Sequence, residues 1–109
     1  MATVATLASA KTTTGASPEV RFEYDGLKDP RNFAVQVVGS VTADAGAATV
    51  AIEVSNDRAV WMVVGTVTLT LSTEPIADGF AVFAPWPYMR SRITALNGTG
   101  ASITATVAY

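Results

Sequence analysis

Apolar and polar residues alternate along most of this chain, and the clearest run is followed at once by a turn. Residues 49–55 read TVAIEVS, in which every second side chain is apolar. This period of two predicts a β-strand with one buried face. A reversal of the chain is predicted at the end of this run, where the sequence Ser55-Asn56-Asp57-Arg58 favours a turn. Trp61 then begins the predicted return strand. Val67, Leu69 and Leu71 then alternate with threonines, which predicts that the threonines face outward.

Further strands are predicted wherever a short alternating run ends at a turn signal. Phe33, Val35 and Val37 should share one face of a strand in which Gly39 favours a bulge. Two prolines that flank Trp86 should end a strand there. The remaining predicted strands cover residues 20–24, 80–83, 88–96 and 102–109. The predicted turns are Asp25-Gly26, Asp29-Pro30, Ala43–Gly46, Glu74-Pro75, Asp78-Gly79 and the tight hairpin Asn97-Gly98-Thr99-Gly100.

These elements predict an all-β fold, because no segment shows a helical period. Short strands with regularly spaced turns are typical of an antiparallel β-sandwich or jelly-roll, here of about eight strands. Residues 1–18 are interpreted as an N-terminal arm and linker, and residues 19–109 as the β-sandwich domain. The arm could pair as an edge strand of its own domain or reach a neighbouring subunit.

The chain carries little charge for its length of 109 residues. Charged residues make up 15% of it, against about 25% in an average soluble protein, and 50% are apolar. No run approaches the roughly 20 apolar residues that span a bilayer, so no membrane segment is predicted. Either part of the surface lies against another protein, or alanine and threonine simply form an uncharged surface.

The residue types that are missing restrict the chemistry. With no cysteine and no histidine, the chain lacks thiol nucleophiles, Ser-His pairs and the usual zinc ligands. Its carboxylates are scattered singly over separate loops, and Asn56 with Asp57 is interpreted as turn chemistry and not as a cation site. We therefore expect no enzyme activity, no metal and no cofactor. The net charge of −2 argues against a nucleic-acid partner.

Three positions stand out as candidates for contact or packing. Trp61 begins an apolar strand, which favours a place in the core. Trp86 could cover an open end of the sandwich or serve as an anchor in an interface. Arg90 and Arg92 should share one face of their strand, either in solvent and paired with Glu53, or against an acidic partner.

The chain resembles the small β-sandwich virion proteins of tailed bacteriophages in two runs and one turn. These are Ile52-Glu53-Val54-Ser55-Asn56-Asp57, Pro85-Trp86-Pro87-Tyr88-Met89-Arg90-Ser91-Arg92-Ile93 and the Asn97–Gly100 turn. The resemblance covers residues 32 to 109 and includes the Ala/Thr-rich composition. It implies a capsid decoration, or cement, protein that stabilises the assembled shell by binding across capsid subunits. A tail or neck accessory protein is an alternative within the same class.

A second resemblance, over residues 52 to 93, is to discoidin-like carbohydrate- and lipid-binding sandwiches. It implies the rival function, a carbohydrate-binding or host-attachment module. That family's terminal cysteine pair has no counterpart here.

The decoration hypothesis implies the major capsid protein as partner, on the capsid surface of a virion assembled in the host cytoplasm. The N-terminus shows no basic segment with a long apolar core, so no secretion signal is predicted. The protein could also form a small homo-oligomer. The expected partner-contact residues are Thr3, Val4, Leu7, Trp86, Tyr88, Arg90 and Arg92.

Overall fold

A computed structural model of the protein describes residues 4–22 and 32–109. The predicted turns at 25–26 and 29–30, the end of the predicted strand 20–24, and Thr3 lie outside these residues. The described part contains nine strands and no helix: β1 Val4–Lys11, β2 Gly15–Ala16, β3 Val20–Arg21, β4 Asn32–Ser40, β5 Ala43–Ser55, β6 Met62–Leu71, β7 Ile76–Phe83, β8 Tyr88–Thr99 and β9 Ser102–Ala108. No segment in these ranges forms a helix that could cross a bilayer.

The strands form two antiparallel sheets that pack face to face, so the predicted antiparallel β-sandwich is confirmed. The first sheet has four strands in the order β1-β9-β4-β7. The second has the order β2-β8-β5-β6, with β3 pairing beside β2 on β8. The arm residues of β1 therefore pair with β9 of the same chain.

The core lies between the sheets and is built by the predicted alternation. Along β4, Phe33, Val35 and Val37 are buried while Gln36 is exposed, and along β6 the threonines are exposed between buried Val67 and Leu69. Burial of these apolar faces is the main contribution to stability. The fully buried residues of largest volume are Phe33, Ile52, Leu71, Met89, Ile103, Val37, Val50, Val54 and Val107.

The predicted hairpin at 97–100 is wrong. β8 continues to Thr99, and the chain then crosses to the other sheet, where β9 pairs with β1 and β4 and not with β8. The connections from β4 to β5 and from β6 to β7 also cross between sheets. Glycine-rich turn chemistry specified a reversal of the chain correctly, but it does not determine the sheet that receives the next strand.

Two other predicted turns lie inside strands. β5 begins at Ala43, and the turn chemistry of residues 43–46 appears as an irregularity in register, with Asp44 at a φ of 62°. Asp78 and Gly79 are part of β7, opposite Val37 and Gln36 of β4. Pairing along the whole of β4 overrides the local preference for a turn at this position.

The bulge predicted at Gly39 is absent, whereas a strand irregularity occurs at Gly65. β4 pairs on both sides through Gly39 without a bulge, and a Cβ there would lie 2.6 Å from Cδ1 of Ile103, so this glycine serves close packing. At Gly65 the register with β5 does shift, between Ile52 and Glu53. A Cβ at Gly65 would lie 2.3 Å from Cζ of Phe80, so its absence lets the β7 ring pack over β6.

A candidate partner interface on the outer face of the five-stranded sheet

β8 carries Tyr88, Arg90 and Arg92 on the outer face of the five-stranded sheet, as the alternation predicts. Met89, Ser91 and Ile93 point the other way and are buried. In the register with the neighbouring strand β5, Arg90 lies opposite Glu53 and Tyr88 lies opposite Ser55. We call the outer surface formed by Glu53, Arg58, Trp61, Tyr88, Arg90 and Arg92 the arginine face.

Glu53 holds the two arginines of β8 together. Its Oε1 accepts a hydrogen bond from Nε of Arg90 at 2.7 Å and a longer one from Nε of Arg92 at 3.3 Å. Only 8% of Glu53 is exposed. The predicted pairing of the arginines with Glu53 is confirmed, and the pair is more buried than the solvated pair that the sequence suggests. The side chain of Arg92 remains 40% exposed, against 18% for Arg90, so Arg92 is the more accessible of the two cations.

Trp61 lies on this outer face and not in the core, so the predicted core position is wrong. The guanidinium of Arg90 sits 4.0 Å from the centroid of the Trp61 ring, a cation–π stack. The indole Nε1–H donates to the Arg58 carbonyl at 3.3 Å. Trp61 precedes β6 and is half-buried, and it contacts Arg58 and Arg90.

The turn at 55–60 is fixed by its own side chains, as the turn interpretation of Asn56 and Asp57 predicts. Ser55 Oγ accepts from the N–H groups of Asp57 and Arg58, and Oδ1 of Asp57 accepts from those of Ala59 and Val60. Arg58 has a φ of 66°, in the left-handed region. Its guanidinium lies 5.6 Å from the Tyr88 ring and pairs with Glu19. The turn therefore holds Arg58 at the border of the arginine face.

The hydrogen bonds from Val60 and Ala59, followed by that from Ser55, hold the pKa of Asp57 below its ordinary value of 3.8. Because the folded pKa is lower than the unfolded one, the ionised form stabilises the fold above about pH 3.8, and this contribution is lost as pH falls through the folded pKa.

Asp57→Asn should therefore lower the urea midpoint at about pH 6, and the difference in midpoint from the parent protein should close towards about pH 2. Urea unfolding across this range tests this. A gap that does not change with pH would contradict it.

The packing of Trp86 supports one of the two interpretations that the sequence left open and does not test the other. It is half-buried and packs against the hydrophobic core, beside fully buried Ala84. The N–H of Phe22 donates to the Pro87 carbonyl at 2.8 Å, which ties this loop to the residue after β3. Covering the sandwich is thus one role that the packing supports. Contact with a partner stays a prediction.

The structure separates the arm residues from the arginine face. Leu7 is 2% exposed and belongs to the chain's own core, whereas Val4 is 64% exposed. Both lie on β1, at the edge of the four-stranded sheet. Of the expected contact residues, Tyr88, Arg90 and Arg92 come together, and the arm forms part of a different surface.

Sequence reasoning missed a second surface, which is apolar. β6 and β7 are the edge strands on one side of the sandwich, where the Phe80 ring packs over Gly65. Among the described residues, five of the seven exposed large apolar side chains lie on these strands or within two residues before β6. They are Val60, Met62, Val63, Ile76 and Phe83. The signal was the unbroken apolar run at 60–64, which lacks the alternation of a half-buried strand. We call this surface the β6–β7 side.

No group of three acidic side chains within residues 4–22 and 32–109 could hold a metal ion. A small hollow is lined by Lys11, Thr13, Ser17, Ser91 and neighbouring residues. In it, Ser91 Oγ and Ser17 Oγ are 2.9 Å apart and hydrogen-bonded, so these hydroxyls link β8 to the segment after β2. The Ser17–Ser91 hydrogen bond therefore contributes to packing within the five-stranded sheet.

No protein-family model matches the chain, and no curated protein sequence matches it. Among solved structures, the chain is similar to the structure described as "Crystal structure of PBSX exported protein XepA", with a TM-score of 0.55 and 19% sequence identity. The match covers 97% of this chain and 36% of the XepA chain, so this chain corresponds to about a third of XepA. At this identity the likeness concerns the fold: this β-sandwich has the architecture of one part of XepA.

Proposed function

We propose that the chain is a structural protein of a bacteriophage virion, and that it acts as a capsid decoration protein. The observation that carries the proposal is the fold shared over 97% of the chain with XepA, which is a phage protein. This shared fold is consistent with the sequence motifs that resemble small β-sandwich virion proteins of phages. The role is non-catalytic: the protein acts by binding the major capsid protein across joints of the assembled shell.

The arginine face supplies the residue types that such a contact needs. Arginine, tyrosine and tryptophan are enriched among the residues that dominate binding energy at interfaces. Arg92 and Arg58 are the exposed cations of this face, whereas Arg90 is occupied by Glu53 and Trp61. An acidic surface on the shell would pair with the two exposed guanidinium groups, and each bidentate contact would fix orientation as well as add affinity.

The mechanism is mass action. A protein that binds the assembled shell and not its separated subunits raises the free energy needed to open the shell. Identical sites repeat over a shell, so contacts that are individually modest suffice, and linked copies would gain avidity. No reactive group is required for this role.

The proposal is tested by cosedimentation of the purified protein with mature and immature shells of its phage. We expect saturable binding to mature shells, and Arg92→Ala should weaken it by about tenfold, the scale of a single hot-spot contact. Lys11→Ala is the matched control, since it removes one positive charge from an exposed position on β1. It should change the affinity by less than about twofold.

Three outcomes would overturn the decoration role. Binding to no shell component would remove its basis, and binding to isolated tails or necks alone would assign an accessory role there. Saturable binding on a glycan array, abolished by Trp86→Ala, would identify a host-attachment module. Trp61 offers little support for sugar stacking, because Arg90 already covers one face of its ring.

A further inference from the structure

Three of the four sheet edges in the described residues carry a feature that discourages pairing with another strand. β2 is only two residues long. β1 contains two register shifts and ends at Lys11. β7 has Asp78 opposite Val37, which is a core residue, so this carboxylate is on the inward side of an edge strand. Short strands, bulges, lysines and inward charges are the usual means by which proteins protect sheet edges.

The fourth edge, β6, has none of these features over residues 66–71. The segment reads TVTLTL, without charge, proline or glycine, and it pairs with β5 in unbroken register from Gly46–Leu71 to Ala51–Thr66. Its threonines are exposed and its Val67, Leu69 and Leu71 side chains are buried. No other described strand pairs with the free side of β6. An uncharged edge of regular register and high β propensity is a template for strand addition.

We propose that the free edge of β6 pairs antiparallel with β6 of a second copy of this chain, about a two-fold axis. The alternation is self-complementary when Thr68 lies on the axis. Thr66 then lies opposite Thr70 of the partner subunit, and Val67 lies opposite Leu69 of the partner subunit. Threonine pairs and branched apolar pairs are favourable cross-strand neighbours, and no like charges meet. A two-fold interface requires this self-complementarity.

The exposed apolar residues of the β6–β7 side fit the same axis. Met62 and Val63 lie at the start of β6, and Ile76 lies shortly after its end. Antiparallel pairing places the start of one β6 beside the end of the other. Each Met62–Val63 pair therefore approaches the Ile76 end of the partner subunit, and apolar surface that is exposed in the single chain is removed from water.

The pairing concerns the purified chain alone, so it can be tested apart from any shell. We expect the mass in sedimentation equilibrium to rise from 11.3 kDa towards twice that value as concentration increases. Because six paired residues per chain bury less than a standard interface, the transition should fall in the range of about 10 μM to about 1 mM. A mass that stays at that of one chain throughout this range would overturn the proposal.

Thr68→Lys should abolish the increase in mass, because it places two ammonium groups opposite each other on the axis. Thr6→Lys is the matched control, since Thr6 is an exposed threonine on the edge strand of the other sheet. It should leave dimerisation unchanged. Retained far-UV circular dichroism would show that both variants fold. Loss of the dimer with Thr6→Lys but not with Thr68→Lys would assign the contact to β1 and overturn the proposal.

A chain without cysteine allows a second readout that does not depend on disrupting the contact. Residues that face each other in antiparallel strands have Cα atoms about 4.5–5.5 Å apart, which a disulfide can bridge. Thr68→Cys should therefore oxidise to a covalent dimer, and Thr6→Cys should not. An equimolar mixture of Thr66→Cys and Thr70→Cys should crosslink more than either variant alone. Equal crosslinking of Thr68→Cys and Thr6→Cys would indicate random collision and contradict the pairing.

Discussion

Phe33→Ala should lower the free energy of unfolding by about 4 kcal/mol, the range measured when a buried phenylalanine is truncated. Phe33 is 1% exposed, and its ring centroid lies 4.7 Å from that of Phe22 and 5.9 Å from that of Tyr109. Truncation therefore removes apolar burial and two aromatic contacts and leaves a cavity that the paired strands cannot fill. Urea unfolding followed by circular dichroism measures the change.

Phe83→Ala provides the matched control. It makes the same chemical change on β7, where Phe83 is 55% exposed, so it should cost less than about 1 kcal/mol. Phe33→Leu, which keeps much of the apolar volume, should cost less than Phe33→Ala. A similar loss for Phe33→Ala and Phe83→Ala would mean that the aromatic cluster does not pack as described.

Glu53→Ala should lower the free energy of unfolding by about 2 kcal/mol, because it leaves two guanidinium groups without their carboxylate. The effect is smaller than that of losing a fully buried ion pair, since Arg92 is still partly in water. Arg90 would also lose the bond that positions it over Trp61. Urea unfolding gives the stability, and the tryptophan emission spectrum reports the rearranged stack.

Removing one arginine tests whether Glu53 is shared. Arg92→Ala should cost less than about 1 kcal/mol, since Glu53 keeps its shorter bond to Arg90. Glu53→Gln keeps the shape of the side chain and one acceptor oxygen, so its cost should lie between those of the other two variants. If Arg92→Ala destabilised the protein as much as Glu53→Ala, the central role assigned to Glu53 would be wrong.

The sequence predicted best those features that depend on the alternation within one strand. The inward valine and leucines of β6, the inward face of β4 and the shared face of Arg90 and Arg92 follow from a period of two. That Glu53 meets the arginines also follows, once β5 and β8 are neighbours. These features require only that one face of each strand be apolar.

Features that depend on which strand meets which were not predictable in this way. The Asn97–Gly100 turn has the chemistry of a hairpin, but the strand after it joins the other sheet. Asp78-Gly79 has the chemistry of a turn, but eight consecutive pairs with β4 keep it extended. In both places long-range pairing, which turn residues do not encode, decides the outcome.

The candidate site was predicted in part. Its arginines and Tyr88 were recognised from their strand, but Trp61 was assigned to the core because large apolar residues are usually buried. Its ring is instead covered by Arg90, a residue 29 positions later in the chain. A cation–π contact between β8 and a residue just before β6, with β5 between the two strands, leaves no local signature. Only the pairing of β8 with β5 and the turn at 55–60 could reveal it.

The position of β9 has a consequence for how the protein folds during synthesis. β9 follows the other eight described strands in the sequence and is translated after them, yet it lies between β1 and β4 in the four-stranded sheet. While residues 102–108 remain inside the ribosome, β1 has no partner strand and β4 can pair only with β7. The four-stranded sheet can therefore be completed only after those residues emerge. Such dependence on sequence-distant pairing places folding on the millisecond-to-second scale, and a nascent chain halted before this point would remain a substrate for chaperones.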